Sequence, residues 1–313
     1  MGTSEFAVPI LEALVRAGYQ VVAVFTQPDR PAGRGLKPQP PPVKQRALEL
    51  GLPVYQPETL RDEKVLAQIA ALAPDIIVVA AYGEILPRRL LTLPRLGCLN
   101  VHPSLLPKLR GAAPIQAAIR QGLTETGVTI ALMTPKLDAG PILAQRTVPI
   151  APEDTARTLG ERLARVGAEL LLETLPRWAA GVITPQPQDE SQATYAPPVR
   201  KEDGLIDWQQ SAEEIWRQCR AYDPWPGCFT FWKGQLLKLG RVWPDPSWHG
   251  PEPPGTVLLL PGPDGRPRLA VATGHGALIV ESLQLAGRRL LSAEEFLRGQ
   301  RDFVGSRLGQ AAA

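Results

Sequence analysis

The run Asn100-Val101-His102-Pro103 is where residue types and spacing first suggest chemistry. Side chains at i and i+2 of a strand point to one side, so Asn100 and His102 share a face. Pro103 cannot continue the ladder, which leaves the pair at the strand's carboxyl end, where open α/β sheets bind ligands. A third polar group, Asp138, lies in Leu137-Asp138-Ala139-Gly140-Pro141, between two expected strands. Together they suit acyl-type transfer between amines. Such a reaction needs a donor for the developing oxyanion, a path for the attacking amine's proton, and orientation of both. Asn100 offers a neutral, directional N–H. His102 can donate to the same oxygen or relay a proton. Asp138 can set the charge and tautomer of His102 or move a proton through a water. The residues alone leave these roles open.

The elements that must position the three groups alternate. An amphipathic helix over Val8–Ala17 precedes an apolar strand at Val21–Phe25. Short helices over 43–50 and 60–72 lead to a buried strand at Ile76–Tyr82. Strands follow around 98–102, 128–133 and 143–148, with helices over 114–120 and about 155–180. This alternation predicts an α/β, doubly wound, Rossmann-like, mostly parallel sheet. The chain opens Met1-Gly2-Thr3 directly before its first helix, where such a fold places a central strand. The expectation is that this first strand is missing and that the native start lies upstream.

At 313 residues, with 44% hydrophobic and 21% charged side chains, the chain reads as a globular protein of two domains. Composition changes after Gly181, and all seven tryptophans fall from Trp178 onward. The expected division is a catalytic domain over 1–181, a Pro/Gln/Ser-rich linker over 182–203, and a second domain over 204–313. Short, regularly spaced strands in the last part predict a small OB-like β-barrel. Three cysteines, Cys98, Cys219 and Cys228, without a CxxC pair argue against a disulfide framework or a zinc site. No metal is expected. No apolar run is long enough for a bilayer and no signal segment opens the chain. A cytoplasmic monomer, with no membrane partner, is the expectation. No GxGxxG follows a strand, which disfavours nicotinamide chemistry.

The run Leu99–Gln116 resembles the signature of the folate-dependent formyltransferases, and Leu137-Asp138-Ala139-Gly140 is similar to their second motif. The resemblance implies Asn100, His102 and Asp138 as catalytic residues and 10-formyltetrahydrofolate as co-substrate. It also implies Ser104, Leu105, Leu106 and Pro107 as the folate-binding turn, whose apolar wall suits a pteridine ring. The loop from Phe25 to Gly35, the triplet Ile206-Asp207-Trp208 and the stretch Arg220–Gly227 are similar to one branch of that family. Its acceptor is the methionyl ester of initiator tRNA, and its C-terminal barrel helps hold the tRNA. Arg34 and Lys37 in the loop, and Arg200 and Lys201 in the linker, are then the expected nucleic-acid contacts. One departure is that Tyr195-Ala196 is followed by Pro197-Pro198 instead of leading to the family's lysine. The catalytic run cannot itself distinguish this acceptor from a small amine such as an amino sugar. A non-catalytic RNA-binding protein on the same fold is the rival of another class; the presence of all three catalytic residue types speaks against it.

Overall fold

The computed structural model describes residues 1–32 and 37–309. The chain divides into two compact units. The first comprises Met1–Ile115, Thr124–Ala151 and Thr158–Pro198; the second comprises Gln116–Leu123, Pro152–Arg157 and Val199 onward. The division therefore runs through a helix at Pro114–Arg120 and through the start of the long helix at Ala156–Ala179.

In the first unit, α1 (Val8–Arg16) carries Pro9 in its first turn, where no N–H is needed, and stops ahead of Gly18 at φ +81°. Then come β1 (Val24–Phe25), the antiparallel pair β2 (Arg30–Ala32) and β3 (Lys37–Gln39), α2 (Pro42–Glu49) and β4 (Val54–Tyr55). Next are α3 (Glu63–Ala71), β5 (Ile77–Val79), α4 (Arg88–Leu91), β6 (Cys98–His102) and β7 (Arg110–Gly111). The series ends with α5 (Pro114–Arg120), β8 (Glu125–Leu132), β9 (Ile142–Pro149), α6 (Ala156–Ala179) and β10 (Tyr195–Ala196).

The sheet is α/β in character but mixed, which corrects the mostly parallel expectation. β1 pairs parallel with β4 and β5 with β6, whereas β8 runs antiparallel to both β6 and β9. The cause is local. The short, helix-free segment Met133–Pro141 can only turn β8 back on itself, because a parallel return needs a crossover of about a dozen residues or more.

Met1–Thr3 enter the central slot that the sequence leaves without a strand. Gly2 N–H donates to Phe25 O at 3.0 Å, Ala80 N–H donates to Met1 O at 3.0 Å, and Thr3 N–H donates to Ala81 O at 3.1 Å. A Cβ on Gly2 would lie 2.7 Å from Ala7 Cβ and 2.9 Å from Ala80 O, so only glycine fits there. These residues fill the carboxyl end of the slot. At its amino end lies an apolar cavity of about 180 Å³, walled by Val21, Val22, Ala23, Ile76, Val78 and Leu175 among others. The expected strand at Val21–Phe25 accordingly forms a ladder only at Val24–Phe25. The Met1 amine donates to Val78 O at 2.7 Å, and burial lowers its pKa to about 6.

Beyond Pro198, the first α-helix of the second unit is α7 (Ala212–Ala221), which starts at a Ser211–Glu214 capping box. Its strands are β11 (Cys228–Trp232), β12 (Gln235–Leu239), β13 (Val242–Asp245), β14 (Val257–Pro261), β15 (Pro267–Ala272), β16 (Ala277–Val280), β17 (Ser282–Leu285) and β18 (Leu291–Ser292), followed by α8 (Ala293–Gly299). They form two four-stranded antiparallel sheets, ordered β11-β12-β17-β18 and β13-β16-β15-β14. Among the described residues these sheets do not close into the expected barrel. The apolar stretch from Ala277 to Leu285 breaks at Glu281, whose N–H donates to Arg241 O, and its two strands join different sheets. The core gathers Trp208, Ile215, Trp232, Leu237, Phe296 and Phe303, with Trp232 edge-on to Phe303 at 5.0 Å. Among the described residues no helix is long and apolar enough to cross a membrane.

β6 is held by the apolar residues behind it. Ile130 in β8 is fully buried opposite Val101, between the positions of Asn100 and His102. Ile130→Ala is expected to lower stability by about 2–5 kcal/mol in urea unfolding, with an unchanged m value. A loss below about 1 kcal/mol would show that β6 does not depend on this packing.

Candidate active site

β6 is sandwiched between β5 and β8, with Asn100 opposite Val79 and Ala131 and His102 opposite Thr129. Leu99 and Val101 face the core and are buried, while Cys98, Asn100 and His102 share the other face. Cys98 lies beneath the pair. Burial pushes its thiol up to about 12, so it stays protonated and packs.

His102 is 4% exposed. Its Nε2 lies 3.0 Å from Leu109 O. A carbonyl only accepts, so Nε2 carries the hydrogen and Nδ1 is the free nitrogen of the neutral ring. Nδ1 faces Asp138 Oδ2 at 3.7 Å, beyond hydrogen-bond distance and within ion-pair reach. Asp138 Oδ1 accepts from Asn100 Nδ2 at 3.1 Å, and Oδ2 accepts from Gly111 N–H at 2.8 Å. The carboxylate thus touches or faces all three partners. One Asn100 N–H is spent on Asp138, and the amide keeps a second. Asp138 itself sits at φ +48°, the left-handed region, in its turn between β8 and β9.

Gly111 has to be glycine. Its φ is +109°, and a Cβ there would lie 2.6 Å from Ala196 O of β10. β10 therefore reaches β7 closely enough to keep the Gly111 N–H aimed at Asp138.

The expected folate turn is more committed internally than the sequence suggests. Ser104 is fully buried, and its hydroxyl donates to Lys108 O at 2.6 Å. Leu106 is buried; its N–H donates to Thr129 Oγ1 at 3.1 Å, and its carbonyl accepts from Gln145 Nε2 at 2.8 Å. Leu105 and Pro107 remain partly exposed. Arg34 lies outside the described residues, and of Lys37 only the backbone, in β3, is described. Arg200 and Lys201 are exposed in the second unit, where Arg200 N–H donates to Asp203 Oδ2 at 2.7 Å. Among the described residues no cluster of three or more His, Cys, Asp or Glu could hold a metal.

Sequence reasoning missed the support of this site. The Arg110 side chain is completely buried, and its guanidinium pairs with Glu190 through Nη1–Oε2 at 3.1 Å and Nη2–Oε1 at 3.0 Å. Lys136 Nζ reaches the same carboxylate at 2.6 Å. These cations hold the Glu190 carboxyl at about 2, well below its usual 4.5. Thr194 takes the Leu109 N–H on its hydroxyl at 2.9 Å. The sequence shows a basic residue in the run Leu99–Gln116 and a polar stretch over 182–203, with no local pattern that joins them.

The model of the formyl transferase family matches residues 1–175, and that of the formyl transferase C-terminal domain matches residues 198–301. A methionyl-tRNA formyltransferase of Roseiflexus castenholzii is 53% identical over 310 residues, covering 99% of this chain and 97% of its own. One from Geobacillus thermodenitrificans is 50% identical over 315 residues, again covering 99% and 97%. Among solved structures, the N-formyltransferase of Helicobacter canadensis, in complex with folinic acid and dTDP-3-aminofucose, is similar in fold. Its TM-score is 0.62 at 18% identity, over 89% of this chain and 96% of that one. HypX from Aquifex aeolicus in complex with tetrahydrofolic acid gives a TM-score of 0.58 at 24% identity, over 82% of this chain and 44% of that one.

Because the Glu190 pKa is depressed, its stabilising effect is present above its unfolded value and is lost as pH falls through the folded one. The urea midpoint of Glu190→Gln is expected to lie below that of the wild type by a constant amount between about pH 8 and about pH 5. The difference should narrow as pH falls from about 4.5 toward about 2. A difference that changes between about pH 5 and about pH 8 would assign the coupling to another group.

Proposed function

The chain belongs to the formyltransferase family, and from that premise we propose that it moves the formyl group of 10-formyltetrahydrofolate to the free amine of methionyl initiator tRNA. The observation that carries the chemical part is the single carboxylate, Asp138, held by Asn100 and Gly111 and facing His102. The roughly 50% identity to methionyl-tRNA formyltransferases along nearly the whole chain carries the choice of acceptor.

The remaining Asn100 N–H is placed to donate to the formyl oxygen, which gains negative charge as the methionyl amine adds to the formyl carbon. Asp138 holds the amide so that this donor needs no reorientation during the reaction. A new C–N bond forms to the methionyl nitrogen, and the bond from the formyl carbon to folate N10 breaks. The proton lost by the amine passes to the Asp138–His102 pair, directly or through a water, and returns to N10 as tetrahydrofolate leaves. Leu109 O keeps the His102 ring in place by accepting from Nε2, leaving Nδ1 for this exchange. Leu105 and Pro107 are assigned to the wall against the pteridine, and Ser104 and Leu106 to the shape of the turn behind it.

We assign residues 1–181 to catalysis, 182–203 to the linker, and 204–313 to an OB-like module that helps hold the tRNA. The exposed Arg200 and Lys201 and the loop residues Arg34 and Lys37 are its phosphate-contact candidates, on the strength of the family's loop and linker motifs. The enzyme is read as a monomer acting in the cytoplasm, where aminoacylated tRNA and reduced folate are both available.

His102→Ala and Asp138→Asn are each expected to lower kcat for formyl transfer by about 10²–10⁴-fold, measured with methionyl initiator tRNA. Near-wild-type turnover in either would remove that residue from the mechanism, and faster transfer by the wild type to an amino sugar would replace the acceptor. Arg34→Ala is expected to raise KM for the tRNA, less so at higher salt, while folate affinity is unchanged. Equal loss toward both substrates would refute the loop assignment.

A further inference from the structure

We infer that Gln188, in the segment that follows the catalytic sheet, is a positioning residue that sets the Asp138 carboxylate. The inference rests on the catalytic reading of Asp138 and adds to it. Gln188 Nε2 donates to Asp138 O at 2.8 Å and to Gly140 O at 2.6 Å. Its Oε1 accepts from Arg110 Nη2 at 2.8 Å and from Arg110 Nε at 3.1 Å. Both amide hydrogens and the carbonyl oxygen are therefore engaged. The orientation is forced, because two carbonyls on one side require the NH₂ and a guanidinium on the other requires the oxygen.

What this amide grips is the strained part of the site. Asp138 is a non-glycine residue at φ +48°, a conformation that persists only where surrounding groups impose it. Gln188 fixes the carbonyls of Asp138 and of the second residue after it, pinning the turn on both sides of Ala139. Arg110, the other end of the amide's grip, immediately precedes Gly111, whose N–H binds the Asp138 carboxylate. One side chain therefore joins the backbone of Asp138 to the strand that holds its carboxylate. Arg110 is in turn anchored by Glu190, two residues beyond Gln188, and Glu190 also binds Lys136 from the same turn. The loop of interactions closes on itself: Gln188 to Asp138, Asp138 to Gly111, Arg110 to Gln188. No atom of Gln188 has to meet substrate for this to matter. A shift of about 1 Å in a catalytic group can cost about 100-fold in rate.

Gln188→Ala removes the grip. Gln188→Glu keeps the shape and strengthens the link to Arg110, but it turns a carboxylate toward the two carbonyls; it preserves the fold while undoing the positioning. Both are expected to lower kcat for formyl transfer by about 100-fold, with KM for 10-formyltetrahydrofolate and for methionyl-tRNA within about threefold of wild type. In an Asp138→Asn background, neither is expected to lower kcat further, because the group being positioned is no longer functional. Wild-type kcat in Gln188→Glu, or a loss that repeats in full on Asp138→Asn, would overturn this inference. Near-wild-type turnover of Asp138→Asn alone would overturn the catalytic reading beneath it, so the two failures are distinguishable.

Discussion

The structure of the site depends on one carboxylate held in a conformation that costs energy. Asp138 lies in the left-handed region, at about 1–2 kcal/mol for a residue with a Cβ. Hydrogen bonds to its charged carboxylate, from Asn100 and from the Gly111 N–H, are each worth about 1.5–3 kcal/mol. The bonds outweigh the strain. They also join three segments: β6, β7 and the β8–β9 turn. Removing the acid would relax the turn and free the Asn100 amide together.

A second left-handed residue stands across from it. Leu109, at φ +58°, offers its carbonyl to His102 Nε2 and gives its N–H to Thr194. The two polar groups of the reacting face are thus each fixed by a strained, non-glycine backbone position. Both positions are braced by the stretch from Gln188 to Ala196. That stretch reads as a linker in the sequence, yet it belongs to the first compact unit, and β10 pairs with β7. The passage out of the catalytic domain is a wall of its site. Burial of Arg110 fits this design: a guanidinium hidden from water needs partners for its donors, and Gln188 and Glu190 supply them.

What could be read from sequence was local. Period-two alternation placed Asn100 and His102 on one face of β6, and Pro103 ended the strand beside them. Pro9 and Gly18 mark the ends of α1 without help from tertiary contacts. The Leu-Asp-Ala-Gly-Pro turn announced a polar residue between strands but not its direction. The partners of Asp138 were illegible because Gly111 and Gln188 reach it through folding. A buried arginine also runs against the ordinary surface preference of its type. The direction of β8 was missed because an apolar run looks alike in either orientation. The two-sheet arrangement of the second unit depends on the break at Glu281, which no residue pattern announces. Met1–Thr3, which carry no strand pattern, bond between β1 and β5 through backbone groups alone.

The central claim is that the formyl group reacts against Asn100 beside the Asp138–His102 pair. The most direct measurement is a structure of the protein with a formylfolate analogue that cannot release its formyl group. The account predicts the formyl oxygen within about 2.7–3.2 Å of Asn100 Nδ2, with the pteridine against Leu105 and Pro107. A formyl group bound away from Asn100, with the Asp138–His102 pair on no path to its carbon, would contradict it.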